Sequence, residues 1–337
     1  MAGSRGTMAD VAKAAGVSVP TVSKVLNGRA DVSEATRAKV QRALQETGYT
    51  ARRAPGSDLA GVIDLLIEGV DSPWALEIIR GTEAAAAHRG SAVVVTSSVN
   101  PGFDLRNWLD AVAGRHSDGV IAALPSLGEQ QLRALQEVKA PVVVIDPTSD
   151  VSTAFATVGA TNWAGAFAAT ERMLELGHTR IGFIGGPSNV PAAVQRLEGY
   201  ASGLRRSGIP FLPELVTEAQ FRVTGGHEAA GRLLDLPERP TAIICSSDQQ
   251  AAGLYEAARE RDIRIPSELS VIGFDDTVLS RYLSPALTTV HQPLAEMASE
   301  AIRIVQQLAL EPDAHVARHI ELATSLKERR SAIALVS

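Results

Sequence analysis

Six short apolar runs in this 337-residue chain each end on side chains able to hold a polar ligand. The run 62–67 leads to Asp71, Ser72, Pro73 and Trp74; 92–96 ends at Thr96, Ser97 and Ser98; 142–145 ends at Asp146. The run 180–184 leads to Gly185, Gly186, Pro187 and Ser188, with Arg196 in the stretch beyond. The run 241–244 precedes Ser246, Ser247 and Asp248, and 270–272 precedes Gly273, Phe274, Asp275 and Asp276. Carboxylates and an arginine can fork the hydroxyls of a neutral polyhydroxylated ligand, and aromatic faces can stack on its C–H surface. Taken singly, each residue also reads as an N-cap or turn, and for Asp248 and Asp276 that is the better reading. Asp146, Arg196 and Asp275 read better as a site, because they converge from two halves of the chain.

A second set suits a polyanion. Three short helical patterns lie between Thr7 and Glu46. Thr7 supplies a hydroxyl N-cap with Asp10 three residues on, and Val11, Ala12, Ala14 and Ala15 form an apolar face. Gly16 and Val17 turn the chain, Ser18 caps a second helix with Pro20 in its first turn, and Asn27 and Gly28 end it. Ser33 caps a third helix, with Val40, Ala43 and Leu44 facing inward. Two short helices across a tight Gly-containing turn form a helix-turn-helix, whose second helix enters the major groove by its N-terminal end. Val19 there can meet a thymine methyl, Thr21 and Ser23 can bond phosphate or base, and Lys24 can reach guanine or phosphate. The candidate DNA contacts are Thr7, Ser18, Val19, Pro20, Thr21, Ser23, Lys24 and Asn27, with Arg52 and Arg53 able to reach phosphates or the minor groove. Any three-helix surface bundle could show this pattern, so pattern alone leaves both readings open.

The elements that must hold the first set alternate. Strands read at 62–67, 92–96, 119–124, 142–145, 180–184, near 215–216, 241–244 and 270–272. Helices read at 74–89, 104–115, 129–138, 163–176, 191–207, 225–235 and 248–261. Helices between β-branched strands imply parallel sheets covered on both faces, and two such series imply two doubly wound lobes. Ligands of such sheets bind off the carboxyl ends of the strands, where the first set lies. The stretch 290–293 should recross between lobes, a helix at 293–309 should return to the first, and a crossover near 322–325 should complete three hinge strands.

Charge separates the two parts. The chain carries −6 overall, but nine bases and only four acids fall in residues 1–57, so the head is +5 and the remainder −11. A basic head on an acidic body suits contact with a polyanion, though a solvated basic face would look the same. One cysteine, Cys245, excludes an intramolecular disulfide framework and a multi-cysteine metal site. No apolar run approaches a membrane span and no signal-like segment opens the chain, so a soluble, cytoplasmic protein is expected. The stretch 182–187 lacks the dinucleotide fingerprint, no P-loop or G-x-S-x-G is present, and His315 and His319 lack an H-E-x-x-H context. The chain is therefore read as a non-enzyme, with no cofactor and no metal. His178, just after Gly177, reads as a helix C-terminal interaction.

The stretch from Met8 to Gly28 closely resembles the headpiece of the lactose/galactose-repressor (LacI/GalR) family of bacterial transcriptional regulators, and residues 32–37 and 46–49 continue the match. Residues 176–186, 196–200 and 271–276 look like that family's effector core, which resembles the periplasmic sugar-binding proteins of type I. The resemblance implies a helix-turn-helix headpiece and linker over 1–60 and an effector core over 61–337. Lobe one is then about 61–160 and 291–322, and lobe two about 161–290 and 323–337. It implies a repressor of carbohydrate-utilisation genes that binds a near-palindromic operator as a homodimer and is released by a small sugar or oligosaccharide. Val19 and Pro20 match the positions that choose the operator. Asp146, Arg196 and Asp275 match ligand-binding positions, Phe221 the aromatic that stacks on the effector, and Trp74 a first-helix aromatic beside the pocket. Plain core packing is the competing reading of Phe221. Ser247 stands where some members place a ligand-binding asparagine. The segment 74–80 resembles members that sense plant-wall oligosaccharides. The chain departs from the family at the hinge helix, where Pro55 and Gly56 break a shortened segment that offers only Leu59. A plain flexible linker is an equal reading there. No leucine heptads follow the core, so no tetramer is expected. A corepressor-dependent regulator sensing a non-sugar metabolite and a sugar-binding transport protein are the rival functions.

Overall fold

A computed structural model describes residues 8–26, 33–47, 59–124, 128–146, 154–312 and 319–335. The chain divides into two compact units, Met1–Asp58 and Leu59–Ser337.

The first unit holds helices α1 (Met8–Ala15), α2 (Val19–Leu26) and α3 (Glu34–Thr47). Val11, Val22, Val25, Val40 and Ala43 form its buried core, one apolar stripe from each helix. Gly16 sits at φ +65° just past α1, and Val17 N–H bonds the Ala12 carbonyl across the turn at 3.0 Å. That left-handed glycine closes α1 and starts α2 after two further residues. Ser18 and Ser33 cap the next helices: their Oγ atoms accept from Thr21 N and Thr36 N, each at 3.3 Å.

The second unit holds two lobes, each built on a six-stranded sheet. Lobe one runs β1 (Val62–Ile67), α4 (Pro73–His88), β2 (Ala92–Ser97), α5 (Leu105–Gly114), β3 (Gly119–Ala123), α6 (Glu129–Gln136), β4 (Val142–Ile145) and β5 (Ala156–Ala160). Lobe two runs α7 (Asn162–Glu175), β6 (Ile181–Gly185), α8 (Pro191–Arg206), β7 (Val216–Glu218), α9 (Val223–Leu234), β8 (Ala242–Cys245), α10 (Asp248–Arg259), β9 (Ser270–Asp275), α11 (Val278–Tyr282) and β10 (Thr288–His291). The chain then returns through α12 (Leu294–Leu310) and β11 (His319–Leu322) to lobe one and ends with β12 (Ser325–Lys327) in lobe two. The sheet orders are β11-β5-β4-β3-β1-β2, all parallel, and β12-β10-β9-β8-β6-β7, with only β12 antiparallel to its neighbour. Strands β3, β4, β6, β8 and β9 are buried along their whole length, as helices on both faces require.

Three crossings join the lobes, and two are stitched together. Thr324 N–H donates to Thr161 Oγ1 at 2.9 Å, and Thr161 N–H donates to the Leu322 carbonyl at 3.0 Å. Strand β5 is absent from the sequence reading. Its Ala-Thr-Val-Gly-Ala composition lacks the β-branched run that marks the others, and burial between β4 and β11 makes it a strand.

His178 closes the helix end as expected, its N–H donating to the Met173 carbonyl at 3.1 Å after left-handed Gly177, and its side chain has a second role. Its Nε2 meets the Ile333 carbonyl at 3.0 Å and Ser270 Oγ at 3.1 Å, and Nδ1 meets Thr241 Oγ1 at 2.9 Å, so it ties the C-terminal segment to the sheet. Nε2 carries a proton to donate to that carbonyl, and in the neutral ring with this tautomer Nδ1 can accept from Thr241 Oγ1. Burial lowers its pKa below the ordinary 6.5. Stability from this neutral state is complete above the unfolded value and lost as pH falls through the lowered folded one. The melting temperature of the parent should thus fall between pH 7 and pH 5 more steeply than that of His178→Gln. Equal slopes would remove His178 as an acid-labile tie.

Candidate functional site

A cavity of about 280 Å³ lies at the carboxyl ends of both sheets, between the lobes. Lobe one supplies Trp74 and Asp146, and lobe two supplies Arg196, Phe221, Ser247 and Asp275. All six expected effector residues therefore line one cavity.

The carboxylates reach it through unusual backbone. Asp146, directly after β4, has φ +52°, and Asp275, the last residue of β9, has φ +109°. Non-glycine residues there are strained and persist where surrounding structure enforces them. Arg196 projects from α8 into the centre and is 4% exposed. Its Nε donates to Asn162 Oδ1 at 2.8 Å, one terminal nitrogen donates to the Ser246 carbonyl, and the other donates to Gln292 Oε1 at 3.2 Å. Its guanidinium lies 3.8 Å from the Phe274 ring centroid and 3.6 Å from Asp275 Oδ1. Gln292 passes the contact across the cleft, since its Nε2 donates to Asp146 Oδ2 at 3.0 Å.

This leaves acceptors in excess. Asp146 Oδ1 is buried without a hydrogen-bond partner. Burial raises the pKa of Asp146, while Arg196 and the Gln292 bond pull it down. Burial raises Asp275 well above the usual carboxylate range; Arg196 opposes this, and Asp248 and Asp146 add to it. Arg196 itself is lowered by burial and supported by Asp275, Asp146 and Asp248. Two desolvated carboxylates around one cation gain most from a neutral ligand that donates hydroxyl hydrogens.

The remaining walls are set by local structure. Ser72 caps α4 by accepting from Ala75 N at 3.0 Å, with Pro73 at the first turn, which directs half-buried Trp74 to the cavity. Ser247 caps α10 by accepting from Gln250 N at 3.1 Å, which leaves its O–H and one lone pair to offer a ligand. Phe221 is half-buried on the cavity wall, and its ring lies over Gly186, where a Cβ would stand 2.1 Å from Phe221 Cζ. The loop carrying it is held from α10: Gln249 Nε2 donates to the Phe221 carbonyl at 2.9 Å, and Gln250 Nε2 donates to the Ala219 and Gln220 carbonyls. At the mouth, Arg222 of lobe two pairs with Asp71 of lobe one at 3.3 Å.

Asp248 and Asp276 are structural. Asp248 accepts from Thr277 N and Oγ1 and from Thr289 Oγ1, and burial pushes its pKa up to about 7. Asp276 binds Arg329, His291 and Ser280. The sequence reading named Gly186 only as a strand end and missed Asn162, Gln249 and Gln292. Of these only Gln292 carried a signal, its place in a lobe crossing.

In the first unit, Val19 is 41% exposed although apolar, and Pro20 and Lys24 are exposed beside it. Ser18 Oγ and Thr21 Oγ1, both expected at the DNA, bond one another at 2.8 Å at the start of α2. Ser23 lies within α2. Thr7, Asn27, Arg52 and Arg53 lie outside the described residues.

The chain matches the family described as bacterial regulatory proteins, lacI family, over residues 7–51, and the periplasmic binding protein-like domain over residues 170–332. It is 34% identical over 308 residues to the HTH-type transcriptional repressor CytR of Escherichia coli (strain K12), covering 89% of this chain and 88% of that protein. It is 31% identical over 335 residues to the ribose operon repressor of the same organism, covering 97% and 99%. Among solved structures it resembles a transcriptional regulator CelR–cellobiose complex at 29% identity, with a TM-score of 0.74 over 97% of this chain and 100% of that one.

Proposed function

Since the chain belongs to the lacI family of bacterial regulatory proteins and is a DNA-binding transcriptional repressor, we propose that it acts as a homodimer on a near-palindromic operator and leaves it when a small sugar or oligosaccharide fills the cleft. The observation that carries the effector is Asp146 Oδ1, buried without a hydrogen-bond partner, facing the Arg196–Asp275 pair of the opposite lobe. A ligand shifts a two-state protein only by binding one arrangement better, and hydroxyls bridging both lobes favour the closed one. The cellobiose in the similar regulator and the aromatic pair Trp74 and Phe221 support a glycoside. No helix among the described residues is long and apolar enough to cross a membrane.

Two-fold protein symmetry asks for two half-sites. The dimer reading rests on β2, an uncharged edge strand with Val95 exposed, and on α4 beside it with Leu76 exposed, since a long apolar edge invites a second chain. Val19 and Pro20 set operator choice, because exposed uncharged residues at the groove end read shape and methyls rather than phosphate. Lys24→Ala should weaken binding across sequences and lower the salt slope by about one. Equal affinity of the parent for promoter and scrambled DNA at every salt would contradict the DNA reading. The effector reading is tested by thermal shift with cellobiose, ribose and a panel of other mono- and oligosaccharides, since a ligand of the native state raises apparent stability. No shift with any of them would turn the reading to a non-sugar metabolite.

A further inference from the structure

The point where the chain enters the core is gripped by one side chain. Ala60 N–H donates to Asp118 Oδ1 at 2.5 Å, and Gly61 N–H donates to Asp118 Oδ2 at 2.8 Å. Two successive backbone N–H groups thus converge on one anion, as in an anion-binding nest, with Gly61 at φ +78°. Asp118 is buried at the amino-terminal edge of β3, and its own N–H donates to the Val62 carbonyl at 2.8 Å. Ala92 N–H donates to the Gly61 carbonyl at 2.7 Å from the other side. The root is therefore wedged between the starts of β2 and β3.

The strand that follows leads straight to the effector cleft. β1 lies between β2 and β3, begins one residue after Gly61, and ends at Ile67, which lines the cavity with Glu68, Gly69 and Asp71. Six residues at about 3.3 Å each make a stiff span of about 20 Å. A buried carboxylate accepting two backbone N–H groups is a strong, directional anchor.

We propose that Asp118 is a positioning residue for operator recognition, fixing the direction in which the linker to the DNA-binding unit leaves lobe one. This rests on the DNA-binding reading above. Coupling needs an element whose arrangement both sites bias. A free root would let the linker average over directions, so lobe movement would reach the DNA-binding units of a dimer blurred. Operator affinity and the demand for one half-site spacing would then fall together, while non-specific phosphate binding would persist.

The test uses the full-length protein and the duplex that the parent enriches from random DNA. Asp118→Asn keeps shape but turns one N–H acceptor into a donor; Asp118→Ala removes both. Ser117→Ala is the control, because Ser117 Oγ donates to the Val62 and Gly119 carbonyls in the same loop without touching the root amides. Both Asp118 variants should lose about tenfold in affinity for the selected duplex, about 1.4 kcal/mol. They should also pay a smaller penalty than the parent when one base pair is inserted at its centre. Ser117→Ala should keep the parent's affinity and spacing penalty even where its melting temperature drops. Parental affinity and spacing penalty in Asp118→Asn would overturn the proposal, as would an equal loss in Ser117→Ala. A parent that enriches no sequence would overturn the DNA-binding reading on which it rests.

Discussion

Arg196→Ala should destabilise the effector core by about 3–5 kcal/mol, the range for removing one partner of a buried charge pair. The same change should abolish stabilisation by any sugar that stabilises the parent. Among the described residues Arg196 is the cation that faces Asp146, Asp248 and Asp275, and three neutral acceptors, Asn162, Ser246 and Gln292, are also satisfied by it. Its loss strands all of them in a buried site. Arg196→Lys restores the charge but not the planar fork, so it should recover much of the stability and little of the sugar response. Denaturant unfolding measures the first quantity and thermal shift with sugar the second. A parental midpoint in Arg196→Ala would show that the guanidinium does not hold the two lobes' carboxylates together.

Gly186→Ala should silence the cleft from a position that touches no ligand. The added methyl would stand 2.1 Å from Phe221 Cζ and 2.6 Å from Cε1, so the ring must leave its place on the cavity wall. Overpacking of this kind costs about 1–3 kcal/mol of stability, and the displaced ring either blocks the cavity or ceases to stack. Sugar affinity should fall about tenfold or more, about 1.4 kcal/mol per decade. The cycle with Phe221→Ala makes the cause visible: in that background the glycine substitution should cost almost nothing further. Additive losses would place the effect elsewhere.

The parts of this molecule that were legible share a local cause. Ser18 and Ser33 announce helix starts because a hydroxyl beside an apolar helical stripe has few other roles. Asp146 and Asp275 stand out because each ends a β-branched run in a doubly wound pattern, where ligands bind. What was illegible depends on distant partners. Gln292 is one glutamine in a crossing, and its bridge from Arg196 to Asp146 exists only once both lobes are assembled. Gly186 looks like any strand-end glycine until Phe221, 35 positions on, lies over it. Phe221 itself sits between a three-residue strand and a helix, so only likeness to a family suggested its place. Strand β5 is too poor in branched residues to announce itself, and His178 sits beside a helix end while serving the C-terminal segment.

The central claim is that cleft occupancy and operator release are one event. Its most direct measurement is fluorescence anisotropy of a preformed complex between the full-length protein and its selected duplex, titrated with each sugar that raises the melting temperature of the free protein. The account predicts that such a sugar lowers the anisotropy to that of free DNA over the concentration range that stabilises the protein, and that it leaves the Gly186→Ala complex intact at those concentrations. A sugar that stabilises the protein yet leaves the complex unchanged, or tightens it, would contradict the account.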